Sequence, residues 1–92
     1  MDLGIHGNTA LVTASSSGMG LGCARSLSLE GANVVICGRD SDRLTRAKES
    51  LEAEAKGDIL AIQADLTNPE DIQNLLDKTT KEFGQLDHIV TS

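Results

Sequence analysis

The run from Asn8 to Ala14 (NTALVTA) is compact and apolar, and it passes straight into Ser15 to Gly20 (SSSGMG). An amphipathic helical pattern follows from Gly18 to Leu29, in which Met19, Cys23 and Leu27 recur every fourth position. Ala24 lies beside them, and Arg25, Ser26 and Ser28 fall on the other side. A strand handing over to a helix through small, flexible residues is the most restrictive feature of the chain. It leaves backbone exposed at the strand's C-terminal end and aims a helix N-terminus at whatever lies there.

The same alternation then repeats. Glu30-Gly31-Ala32 turns the chain into Asn33 to Gly38 (NVVICG), a β-branched run of the kind buried on both faces of a parallel sheet. Asp40 or Ser41 can cap a second helix running through Leu44, Ala47, Leu51 and Ala55, with Lys56 in its last turn and Gly57 supplying the permissive φ that ends it. Ile59 to Ala64 (ILAIQA) is a third strand. Thr67-Asn68-Pro69-Glu70-Asp71 starts a third helix with a capping side chain, a first-turn proline and acids at the positive dipole end. Ile72, Leu75, Leu76, Thr79 and Phe83 form its buried stripe, Gly84 ends it, and Leu86 to Ser92 opens a fourth strand.

Strands and helices alternating over short connections call for parallel strands and right-handed crossovers, a doubly wound α/β sheet. The expected strand order is 3-2-1-4, with the first two helices on one face and the third on the other. Such a sheet leaves one face thinly covered and its last strand a bare apolar edge, so further elements or a partner chain are expected.

Ninety-two residues suffice for one small domain, residues 1–92. A mean hydropathy of -0.14 and 24% charged residues fit a globular chain and give no membrane span. The net charge of -6 repels phosphate backbones, which argues against nucleic acid as a partner. Met1 to Gly7 has neither a basic segment nor a long apolar run, so the expected location is cytoplasmic. Cys23 and Cys37 fit no zinc or redox spacing and read as small apolar fillers, and His6 and His88 lack neighbouring ligands for a metal.

The glycine-rich loop suits a dinucleotide pyrophosphate, although the strict G-x-G-x-x-G pattern fails because Cys23 stands where a third glycine belongs. With the loop in this context, the chain resembles the N-terminal part of the short-chain dehydrogenase/reductase family, and within it the 3-oxoacyl-carrier-protein reductases. The family's T-G-x-x-x-G-x-G loop aligns with Thr13, Ala14, Gly18 and Gly20, and its post-strand aspartate with Asp65. Glu30-Gly31-Ala32 and Phe83-Gly84-Gln85-Leu86-Asp87 also match, over a span from about Leu3 to Ser92. The chain departs from the pattern at Ala14, which replaces the family's first glycine, and at Thr91 and Ser92, which stand where the family usually has asparagines.

The resemblance implies a Rossmann-type fold and cofactor contacts from Thr13, Ser15, Ser16, Ser17, Gly18, Met19, Gly20, Arg39, Asp65 and Leu66. An acid at the end of the second strand would accept bonds from a ribose 2′-hydroxyl and repel a 2′-phosphate; this chain has Gly38 and then Arg39 there. That points to NADP(H), with NAD(H) the alternative, and Arg39 as a solvated charge partly neutralised by Asp40 the structural reading. Asp65 and Leu66 would flank the adenine, or Asp65 would merely cap the turn before Thr67.

The family's catalytic tyrosine and the lysine four residues after it have no counterpart, since the chain contains no tyrosine. Lys48, Lys56, Lys78 and Lys81 read as surface charges. The expectation is therefore an NADP(H)-dependent reductase or dehydrogenase of about 250 residues, of ordinary single-domain size. It would act on a small-molecule carbonyl or alcohol and form homo-oligomers, with this chain as its cofactor-binding half and itself inactive. A non-catalytic NADP(H)-binding module and a purely structural fragment are the alternatives.

Overall fold

The computed structural model describes residues 7–13 and 18–90, with side chains in the first helix described from Leu21 onward. The elements are β1 (Thr9–Val12), α1 (Gly18–Leu29), β2 (Asn33–Gly38), α2 (Ser41–Glu52), β3 (Ile59–Gln63), α3 (Pro69–Phe83) and β4 (His88–Val90). All pairings are parallel and the sheet order is β3-β2-β1-β4. This is the expected doubly wound arrangement, and its reversal point lies between β1 and β4.

Alternation along the strands divides the core in two. Val12, Val34, Ile36 and Ile59 face Ala24 of α1 and Leu44, Ala47 and Leu51 of α2. Leu11, Val35, Cys37 and Ile62 face Leu75 of α3, with Leu76, Phe83 and Leu86 packed around them. Two helices thus cover one face and one the other. A fully buried residue such as Ile36, Leu51 or Leu75 contributes about 1.5–3 kcal/mol. Cys37 is buried with its Sγ 3.9 Å from the Val12 carbonyl oxygen, and Cys23 packs half-buried against the first cluster. Both serve as fillers.

The helix starts follow their capping residues. Asp40, not Ser41, caps α2, its Oδ1 accepting from Asp42 N at 3.0 Å and Arg43 N at 3.2 Å. Asn68 caps α3 by accepting from Glu70 N at 2.9 Å, with Pro69 next. Gly84, at φ 78, ends α3 in the left-handed conformation that glycine adopts without a Cβ clash.

Two expectations about the helices are corrected. α2 stops at Glu52 with right-handed Ala53 as its C-cap, so Ala55 and Lys56 lie beyond it. The positive-φ glycines of the described residues are Gly7, Gly31 and Gly84, not Gly57. The Lys56 N–H instead donates to the Ser28 carbonyl at 3.1 Å, tying the loop to the end of α1. Ile72 is 38% exposed, because the buried contacts of α3 begin a turn later at Leu75 and Thr79. Arg25 bridges α1 to Glu54 at 2.8 Å and Ser50 at 3.0 Å. Both charges are well exposed, so the bridge adds less than about 1 kcal/mol.

Among the described strands β4 pairs with β1 alone, and Ile89 is 59% exposed. The strand is anchored at its start, where Asp87 N donates to Thr9 O at 2.9 Å and Asp87 Oδ2 accepts from Thr9 N at 2.8 Å. No helix among the described residues is long and apolar enough to cross a membrane.

Candidate functional site

Parallel strands deliver their C-terminal ends to one rim of the sheet, and the switch point of a doubly wound sheet opens a crevice there. Thr13 follows β1, Arg39 follows β2, Asp65 follows β3, and α1 begins at Gly18. Four strand and helix ends converge on one edge.

Thr13 serves the sheet itself: its N–H donates to the Val90 carbonyl at 2.9 Å and its Oγ1 to the same oxygen at 3.3 Å. It thereby holds the tips of β1 and β4 together across the reversal point. Gly18, Met19 and Gly20 form the first turn of α1. Ser15, Ser16 and Ser17, like Ala14, Thr91 and Ser92, lie outside the described residues.

Beyond β2 and β3 the rim opens into a cleft of about 410 Å³ lined by Arg39, Gln63, Ala64, Asp65 and Asp71. Its volume is in the range of small-molecule sites, roughly 300–1,000 Å³. Ala64 N donates to Gly38 O at 2.9 Å, carrying the β2–β3 ladder to the cleft floor. Gln63 Nε2 donates to the Arg39 carbonyl at 2.9 Å and fixes the backbone from which the guanidinium projects. Arg39 is exposed and forms no ion pair with any described residue. Asp40 does not neutralise it, because that carboxylate caps α2 and lies 3.7 Å from Arg43 Nε. The cation is left facing the cleft.

Asp65 is the most constrained residue of the site. Its Oδ1 accepts from Thr67 N at 2.9 Å and Thr67 Oγ1 at 2.7 Å, and its carbonyl accepts from Asn68 N at 3.0 Å. It does cap the turn before Thr67. The Thr67 hydroxyl, then the Thr67 amide, hold its pKa below the ordinary 3.8; burial opposes them, and the Arg39 charge lowers it least. A depressed carboxylate pKa stabilises the fold above the unfolded value, and that contribution is lost as pH falls through the folded value. Thr67→Val removes the hydroxyl donor, so the Asp65 midpoint in a carbon-13 carboxyl titration should rise toward 3.8. An unchanged midpoint would mean that the hydroxyl bond is not formed in solution.

Leu66 follows at 39% exposure and leaves an apolar surface beside the Asp65 turn. Neither Gln63 nor Asp71 is among the site residues expected from the sequence, where Asp71 reads only as an acid at the start of a helix. The signal for Gln63 is a polar residue inside the apolar run ILAIQA, and for Asp71 an acid in the third position of a capped helix. A second hollow at the opposite end of β3, lined by Glu52, Asp58 and Glu82, has the wrong charge for a phosphate. Among the described residues no cluster could hold a metal ion.

The short chain dehydrogenase family model matches residues 8–92. The 11-beta-hydroxysteroid dehydrogenase-like 2 protein of Arabidopsis thaliana is 33% identical over 88 residues, covering 96% of this chain and 29% of that protein. The L-fucose dehydrogenase of Oryctolagus cuniculus is 38% identical over 86 residues, covering 94% of this chain and 28% of its own length. Among solved structures, the L-sorbose reductase of Gluconobacter frateurii, crystallised with NADPH and L-sorbose, superposes with a TM-score of 0.92 at 36% identity. That match covers 97% of this chain and 34% of the reductase. The chain therefore spans about a third of the length of these proteins. Their names spread over steroid and sugar substrates and give no specific support to the narrower likeness to 3-oxoacyl-carrier-protein reductases.

Proposed function

Since the chain belongs to the short chain dehydrogenase family, we propose that it forms the NADP(H)-binding portion of an oxidoreductase that interconverts a small-molecule carbonyl and an alcohol. The observation that carries the cofactor choice is Arg39, a cation with no ion-pair partner among the described residues, held at the end of β2 where an NAD-selecting acid would stand. Its planar guanidinium suits a 2′-phosphate, and the cleft it shares with Asp65 suits a nucleoside. The NADPH bound to the similar L-sorbose reductase supports the same reading.

In this proposal Arg39 holds the 2′-phosphate, and Asp65 and Leu66 hold the adenine. The backbone from Thr13 through Ser15, Ser16, Ser17, Gly18, Met19 and Gly20 holds the pyrophosphate against the N-terminus of α1. The bound cofactor supplies or accepts hydride. With no tyrosine in the sequence, these residues are given the holding of the cofactor, and proton transfer is assigned to none of them. The whole protein is proposed to work as a homo-oligomer, as family members commonly do.

Calorimetric titration of the full chain with NADPH and with NADH at low salt tests the reading. NADPH is expected to bind at least about tenfold more tightly, a difference of roughly 1.4 kcal/mol. Equal affinities would remove the role of Arg39. Failure of both to bind would remove the cofactor reading as a whole and leave a structural fragment.

A further inference from the structure

The first turn of α3 contains an unusual connection. Asn68 is the N-cap, Pro69 and Glu70 follow, and Asp71 occupies the third helical position. A carboxylate there ordinarily reaches back to the N–H of the capping residue itself and closes a capping box. In this chain the Asn68 N–H is already donated to the Asp65 carbonyl at 3.0 Å. The Asp71 carboxylate passes over the cap and accepts the Asp65 N–H at 2.8 Å.

The shorter link would suffice to finish the helix, whereas the longer one fixes Asp65. Asp65 is gripped from both sides, its amide by Asp71 and its Oδ1 by the Thr67 amide and hydroxyl. Its Oδ2 accepts no hydrogen bond from a described residue, and Asp65 and Asp71 both line the cleft that Arg39 faces. A carboxylate oxygen held in place by bonds to the rest of its own residue is a preorganised acceptor. We infer that Asp71 is a positioning residue for adenine recognition, acting through the Asp65 amide to place the second Asp65 carboxylate oxygen where it accepts the exocyclic amino group. The inference rests on the proposed role of Asp65 in holding the adenine.

The test compares NADPH with its reduced hypoxanthine analogue, in which the amino group is replaced by a carbonyl, by calorimetric titration of the full chain. The unsubstituted protein is expected to prefer NADPH by roughly tenfold, the worth of one bond to a charged acceptor. Asp71→Ala should cut that preference to about twofold or less. Asp71→Asn, which keeps an oxygen acceptor for the Asp65 amide, should retain most of it. Asp71→Glu keeps the negative charge at the helix N-terminus but moves the acceptor by one methylene, and it too should lower the ratio. This variant carries the test if Asp71→Ala fails to fold. A purely structural role for Asp71 would weaken both nucleotides alike, so an unchanged ratio in the Ala or Glu variant overturns the inference. Absence of discrimination in the unsubstituted protein would instead overturn the adenine role of Asp65, and this inference with it.

Discussion

Arg39→Asp is expected to invert the cofactor preference, changing the ratio of NADPH to NADH dissociation constants by roughly a hundredfold. The substitution removes a charge-assisted contact to the 2′-phosphate, adds repulsion toward it, and supplies an acceptor for a 2′-hydroxyl. Together these amount to about 2–3 kcal/mol once solvent screening of so exposed a side chain is allowed for. The backbone should not move, because the Arg39 carbonyl is held by Gln63 Nε2 and the next residue, Asp40, is fixed as the cap of α2. The effect is therefore electrostatic and should shrink as salt is added. Titrations at two salt concentrations read it directly. An unchanged ratio would mean that Arg39 is a solvated surface charge, and another group would then have to decide the cofactor.

The position of Arg39 is legible because it follows a strand end, and strand ends follow from apolar runs, whereas Asp65 was marked by the family resemblance. The runs NTALVTA, NVVICG and ILAIQA each contain a strand, and the helix starts were legible from Asp40, Asn68 and Pro69. Periodicity reports which face of a helix is apolar, but not where the helix begins to contact the sheet, and so it placed Ile72 inside. The roles of Gln63 and Asp71 are set by backbone groups on other segments, the Arg39 carbonyl and the Asp65 amide. Neither partner is visible in the spacing. Asp65 caps the turn before Thr67, and it also lines the cleft on which its proposed contact with the adenine rests.

Gly57→Ala is expected to be strongly destabilising, and the reason differs from the one the sequence offered. The residue looked like a helix stop with a permissive φ, yet α2 has already ended and Gly57 does not have a positive φ. What requires glycine is space. A Cβ built there would stand 2.2 Å from the Ala32 carbonyl oxygen, 2.7 Å from its carbon and 3.1 Å from Asn33 N, all backbone atoms at the entrance to β2. Backbone cannot rotate aside as a side-chain tip can, so the loop before β3 must lift away from β2. Three bonds lie in its path: Lys56 N to Ser28 O at 3.1 Å, Asp58 N to Asn33 Oδ1 at 3.0 Å, and Val34 N to Asp58 O at 2.9 Å. Overpacking together with the loss of one or two of these should cost about 3–4 kcal/mol. In a domain of this size that lowers the melting temperature by upwards of about 12 °C. Gly22→Ala is the matched control, since its Cβ would meet nothing within 4 Å. Gly22 is exposed on α1, so alanine there should raise stability by up to about 1 kcal/mol. Thermal unfolding of the two variants side by side separates the effects. A Gly57→Ala protein that melts with the parent would show that the loop does not approach β2 as closely as described, and the seating of β3 beside β2 would need revision.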